Sequence, residues 1–120
     1  MPAPARDLTA RSRQFSVDLC GFVEREQRRR VLAPRVLDQV LRAGTAIGAH
    51  SAEADAAITR RHLLALRAGA LKEALEAEYW LDVVAGGGRC HAPEELASLR
   101  AQLSALIAIL TACVKKLRGQ

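Results

Sequence analysis

The side chains in this sequence that can ligate a metal or carry a proton are three histidines, His50, His62 and His91, three cysteines, Cys20, Cys90 and Cys113, and the carboxylates around Glu73 and Glu76. A structural zinc site draws its ligands in Cys or His pairs separated by a few residues, so that one turn presents both to the metal. No such pair is present. Only Cys90 and His91 are adjacent, and they read as a loop thiol and imidazole in solvent. A di-iron bundle needs Glu-x-x-His on two of its helices, whereas Ile47, Thr59 and Gly88 stand three residues before the histidines. Glu73, Glu76 and Trp80, with Tyr79 beside them, are spaced by three and four and share one side of a helix. Paired carboxylates are the material of general acid–base catalysis, and with His50 they form the alternative reading of an enzyme or metal-binding bundle. That chemistry also requires a pocket and a positioned electrophile. The preferred reading is a polar stripe beside the core, the indole packing and the acids meeting Arg or Lys from neighbouring helices. Gly86, Gly87 and Gly88 end a helix rather than join a strand to one, so they are no phosphate-binding loop. The expectation is no enzyme, no cofactor and no metal.

Helices must position these residues. Half the chain is hydrophobic but only 3% is aromatic, with Ala and Leu, strong helix formers, prominent. Leu8, Phe15, Leu19 and Phe22 recur at multiples of three to four and predict a helix over 7–26. A polar run, Arg25 to Arg30, leads to Pro34, which suits a first helical turn because no N–H is needed there. Leu37, Val40, Gly44, Ile47 and Ser51 then predict a helix over 34–54. Gly44 and Gly48 each lose about 1 kcal/mol of helix propensity relative to Ala, so this seam predicts close approach of another helix. Thr59 suits the N-cap of a helix over 60–85, stopped by the three glycines. Its stripe of Leu63, Leu66, Ala70, Ala74, Ala77, Leu81 and Val84 is joined by a second, Leu64, Leu71 and Leu75, about 120–130° around the axis. Pro93, Glu94 and Glu95 open a helix over 93–118, and Lys115, Lys116 and Arg118 close it, each sign suiting its end of the dipole. Leu96, Leu99, Leu103, Leu106, Leu110, Cys113 and Leu117 alternate three and four apart along it.

Four helices with short connections in 120 residues predict one all-α domain over 1–120, an antiparallel up-down-up-down four-helix bundle. The second stripe of helix three, with Ile107, Ile109 and Val114 on helix four, is more apolar surface than one small bundle covers. These residues predict a homo-oligomer. A net charge of +5 and a pI near 9.7 favour acidic partners such as RNA or DNA. Arg28, Arg29 and Arg30 gather at one end of the predicted bundle, with Arg60, Arg61, Lys115, Lys116 and Arg118 at the other. One tyrosine and one tryptophan offer little base stacking, so the contact expected is weak and sequence-independent, against a plain reading of solvated helix ends. Another protein is the further candidate partner. No stretch approaches the roughly 20 uninterrupted apolar residues of a membrane span. The start, Met1 to Asp7, lacks the apolar core of a signal peptide, and scattered odd cysteines suit a reducing compartment. A cytoplasmic protein without a membrane partner is expected.

The middle of the chain reads Ala46-Ile47-Gly48-Ala49-His50-Ser51-Ala52-Glu53-Ala54, then Ala70-Leu71-Lys72-Glu73-Ala74-Leu75-Glu76-Ala77-Glu78-Tyr79-Trp80-Leu81. In order and spacing it resembles the bacterial four-helix-bundle family named for proteins encoded in intervening sequences of 23S ribosomal RNA genes. The family-motif positions are His50, Glu53, Lys72, Glu73, Glu76, Tyr79 and Trp80. His50 stands where that family usually has Asn, Ser51 where it has Ile, and His62 where Asp often follows the capping Thr. The resemblance implies a homopentamer of four-helix bundles. The chain is also similar to the accessory proteins of diversity-generating retroelements, basic pentamers that bind nucleic acid and a reverse transcriptase. Most members of the family have no assigned activity.

Overall fold

Prolines and one threonine set where the helices begin. Pro34 and Pro93 occupy first helical turns, and Thr59 sits in extended backbone with its hydroxyl accepting from the His62 amide at 3.1 Å. The computed structural model describes residues 4–119, with side chains from residue 7 on; Met1 to Ala3, part of the start read above, lie outside it. Its helices are α1 (Pro4–Arg29), α2 (Pro34–Ala54), α3 (Arg60–Gly87) and α4 (Pro93–Leu117). Three endings are left-handed, at Arg30 with φ 57°, at Gly88 with φ 67° and at Gly119 with φ 79°, and Gly is the residue that takes such a cap without strain.

The main departure from the sequence-based boundaries is in α1. The run from Arg25, expected as a connection, is helical to Arg29, because its Arg, Glu and Gln residues are good helix formers and Glu26 turns inward. The other departures are small: α3 runs to Gly87 and α4 stops at Leu117.

Each helix packs on the next in sequence, and α1 also meets α4, so the four close a square 45 Å long and 22 × 19 Å across. The chain is an all-helical, antiparallel four-helix bundle. Phe15, Leu19 and Phe22 of α1, Leu37, Val40 and Ile47 of α2, Leu81 of α3, and Leu99, Leu103, Leu106 and Leu110 of α4 fill the core. The α3 seam is largely alanine, Ala70, Ala74 and Ala77, and α2 meets it over the most extensive of the four interfaces. Both glycines of α2 face α1: a Cβ at Gly44 would stand 2.1 Å from Leu19 Cδ2, and one at Gly48 would stand 3.5 Å from the Ser12 carbonyl oxygen. Near Gly48 the Ser12 and Ser51 hydroxyls face each other at 3.4 Å inside the bundle, and Ser51 donates to the Ile47 carbonyl at 2.8 Å.

A polar tie also joins each packed pair. Thr9 donates to Asp55 at 2.9 Å between α1 and the end of α2, Arg42 of α2 meets Glu73 and Glu76 of α3, Arg100 of α4 meets Asp82 of α3 at 3.2 Å, and Arg25 of α1 meets Glu95 of α4. Such exposed pairs add at most about 1 kcal/mol each, and their use is to hold register. Among the described residues α4 is the one helix long and apolar enough, by length and composition, to cross a membrane. In the bundle its row from Leu96 through Leu110 to Val114 is buried against the other helices.

Candidate functional site

Glu73 and Glu76 come together on α3 as the spacing predicts, and their partner is a cation. Arg42 reaches across from α2, donating from Nη1 to Glu73 at 3.4 Å and from Nη2 to Glu76, while Gln39 accepts from its Nε at 3.0 Å. Trp80 Nε1 donates to Glu76 at 3.2 Å, and Tyr79 packs edge-on against the indole with ring centroids 5.0 Å apart. The indole hydrogen bond first, and Arg42 second, hold the Glu76 carboxyl below its ordinary range. A general acid needs the opposite shift. His50 lies apart from this cluster, two turns along α2 from Arg42, with its ring against Gly69 and its Nδ1 buried without a partner. Lys72 is exposed, and so is Glu53 in the last turn of α2. Among the described residues no group of three or more His, Cys, Asp and Glu is arranged to hold a metal ion.

Of the Cys90-His91 pair, expected as a loop thiol and imidazole in solvent, His91 is exposed but Cys90 is half-buried. Cys90 packs against the core, and burial pushes its thiol up from the ordinary cysteine value, so it is held protonated rather than activated as a nucleophile. The His91 backbone N–H donates to the buried Glu26 carboxylate at 3.2 Å, and Arg29 Nη1 approaches the same group at 3.3 Å. This ties the α3–α4 connection to the end of α1. Cys90 also lines a surface cleft of about 490 Å³ with Leu96, Ala97 and Arg100, where the guanidinium is engaged by Asp82.

The basic residues divide between the two ends. Arg60 donates to the carbonyls of Lys116 and Leu117 at 3.3 and 3.1 Å, capping α4 with a cation at the negative end of its dipole. Arg61, Lys115, Lys116 and Arg118 are exposed around it. At the opposite end Arg28 and Arg30 are exposed, while Arg29 is drawn to Glu26.

The apolar candidates also separate. Leu75 is 48% exposed, continuing into Tyr79 at 59% and Val83 at 39%, and Leu64 and Leu71 are half-buried on the same flank. Ile107 and Ile109 are half-buried against the core. Val114, expected on the outer surface, is instead a core residue at 4% exposure, and Cys113, expected in the seam, is only half-buried. A true period of 3.6 drifts from a strict heptad by about 20° per repeat, enough to exchange the two by the last turn. Two buried charges escaped the pattern altogether, Glu26 and Arg67. The available signal was their place on seam positions, Glu26 four residues after Phe22 and Arg67 three before Ala70.

A protein of unknown function from the S23 ribosomal protein family of Bacteroides thetaiotaomicron, known from a crystal structure, superposes on this chain with a TM-score of 0.79. The two share 29% sequence identity, over 93% of this chain and 98% of that one. The likeness is to a protein without an assigned activity. No family model matches the sequence, and no curated protein does.

Proposed function

We propose that this chain is a member of the family of proteins encoded in 23S rRNA intervening sequences, and that it acts without enzymatic chemistry as a homo-oligomeric scaffold or adaptor. The observation that carries this reading is the apolar flank of α3, where Leu71, Leu75, Tyr79 and Val83 follow one another at four-residue steps and stand half-buried or exposed in a single subunit. A connected apolar strip of that kind marks a contact surface. The likeness to an S23-family structure over nearly the full length supports the same reading, and by family resemblance the assembly is a pentamer. Its basic ends would contact RNA or DNA weakly and without sequence preference, in the cytoplasm, where free thiols stay reduced. Light scattering of the purified protein is expected to give a mass near five times 13.0 kDa. A monomer that persists at micromolar concentration would end the oligomer reading.

A further inference from the structure

The connection between α3 and α4, residues 88–92, is attached to the rest of the bundle by two groups. One is the Cys90 side chain, half-buried against the core. The other is the His91 N–H, which donates to the Glu26 carboxylate of α1 at 3.2 Å. Among the described residues that is the connection's one hydrogen bond to a helix it does not itself join. Glu26 is 1% exposed, and Arg29 Nη1 approaches it at 3.3 Å. The carboxylate also supplies what α4 lacks: Ala92 offers no side-chain cap and Pro93 no N–H, so the negative charge that suits the start of a helix comes from α1. On the α3 side of the connection stand Gly86, Gly87 and Gly88. No heavy atom of the surrounding structure lies within 4 Å of where a Cβ would sit on any of them, and Gly88 takes φ 67°. Such a run can pivot at little steric cost. Gly88 and Cys90 line the cleft of about 490 Å³ together with Leu96, Ala97 and Arg100 of α4.

We propose that this connection is a hinged strap latched by Glu26. When the His91 amide leaves the carboxylate, the strap turns outward about the three glycines, lifts Cys90 from its seat and widens the cleft, while the four helices stay packed. The division follows from what each part holds. The helices are joined through Phe15, Leu19, Phe22, Leu99 and Leu103, none of which lies in the connection. Arg25 pairs with Glu95, so the first turn of α4 remains tied to α1 when the strap moves. The released amide meets water, and the opening gives up one charge-assisted hydrogen bond and the seat of one half-buried thiol. Openings that small are sub-global and precede unfolding of the core. Gly86 and Gly87 form the last turn of α3, where glycine in place of alanine weakens the helix, so the hinge coincides with the weakest turn of that helix. The latch acts within one subunit and does not depend on assembly.

The test follows amide hydrogen exchange at His91 and Ala92, and modification of Cys90 by N-ethylmaleimide read on its tryptic peptide, in the full chain. In the parent all three are expected to report one opening whose rate does not change with denaturant below the unfolding transition, whereas the Leu103 amide exchanges only through unfolding. Glu26→Leu, which keeps the site filled and removes the acceptor, should speed all three at least about tenfold, with Glu26→Gln, which keeps an acceptor oxygen, in between. Loss of the Glu26 charge by itself eases ionisation of the Cys90 thiol, so the amides decide. The Ala92 N–H is bonded to the Cys90 sulfur and is freed only if the strap moves. Faster exchange at His91 alone, or faster modification without faster exchange, overturns the latch. The double variant Gly86→Ala, Gly87→Ala should slow the opening at least about threefold by strengthening the last turn of α3, and an unchanged rate overturns the hinge. Cys90 modification that rises with denaturant in step with global unfolding overturns the strap altogether. Should Glu26→Leu fail to fold, the denaturant dependence in the parent and the glycine variant still decide.

Discussion

At the residue scale the bundle is decided by a few side chains that have no room to move. Gly44 is the sharpest case. A methyl at that position meets Leu19 Cδ2 at 2.1 Å and the Phe15 ring at 3.4 Å, and both neighbours are fully buried. Gly44→Ala gains about 1 kcal/mol of helix propensity, but the overpacking it forces costs about 1–3 kcal/mol. The expected result is a net loss seen as a lower urea midpoint, whereas Gly86→Ala, with open space around its Cβ position, should not lower it. Equal midpoints for Gly44→Ala and the parent would show that the helices do not meet there. The glycine seam was legible because two glycines inside an otherwise good helix need a reason. Glu26 and Arg67 were not, because a charged residue at a seam position looks like one on a surface until the groups around it are in place.

At the scale of the element, helix order and type were legible from period and punctuation: α2 and the starts of α3 and α4 lie where Pro34, Thr59 and Pro93 put them. The end of α1 was not, since a run of Arg, Glu and Gln suits a solvated helix as well as a connection. The α3 cluster was legible in kind, two acids meeting a cation from a neighbouring helix, but nothing in the spacing singled out Arg42. The second stripe of α3 now permits a test that the sequence left ambiguous. Leu75 is 48% exposed, so Leu75→Glu is expected to leave the subunit folded by circular dichroism and to weaken assembly in sedimentation. Leu103→Ala, at a position 1% exposed, should instead lower subunit stability by about 2–5 kcal/mol. Unfolding by Leu75→Glu would mean that the stripe supports the core rather than a neighbour.

For the whole molecule the remaining question is whether its positive charge acts as a surface or as a set of solvated helix ends. The geometry narrows which residues are available. Arg60 is occupied with the last carbonyls of α4 and Arg29 with Glu26, which leaves Arg61, Lys115, Lys116 and Arg118 at one end and Arg28 and Arg30 at the other. Few phosphate contacts per subunit imply nonspecific affinities of about 10⁻⁴ to 10⁻⁶ M, and a ring raises the avidity only if one strand reaches several subunits. Replacing Lys115, Lys116 and Arg118 by Gln should therefore weaken binding of labelled RNA and DNA alike. It should also flatten the dependence of log K on log salt by about one for each phosphate contact removed. Arg60→Gln should act differently, lowering the stability of the α4 end while leaving the salt slope nearly unchanged. The titration also checks the oligomer: disrupting the ring through Leu75→Glu should lower apparent affinity without changing the intrinsic contacts of each subunit, because avidity and not charge has been lost. Absence of binding at low salt, or binding untouched by the triple replacement, would return these residues to ordinary helix ends and make the partner of the scaffold another protein.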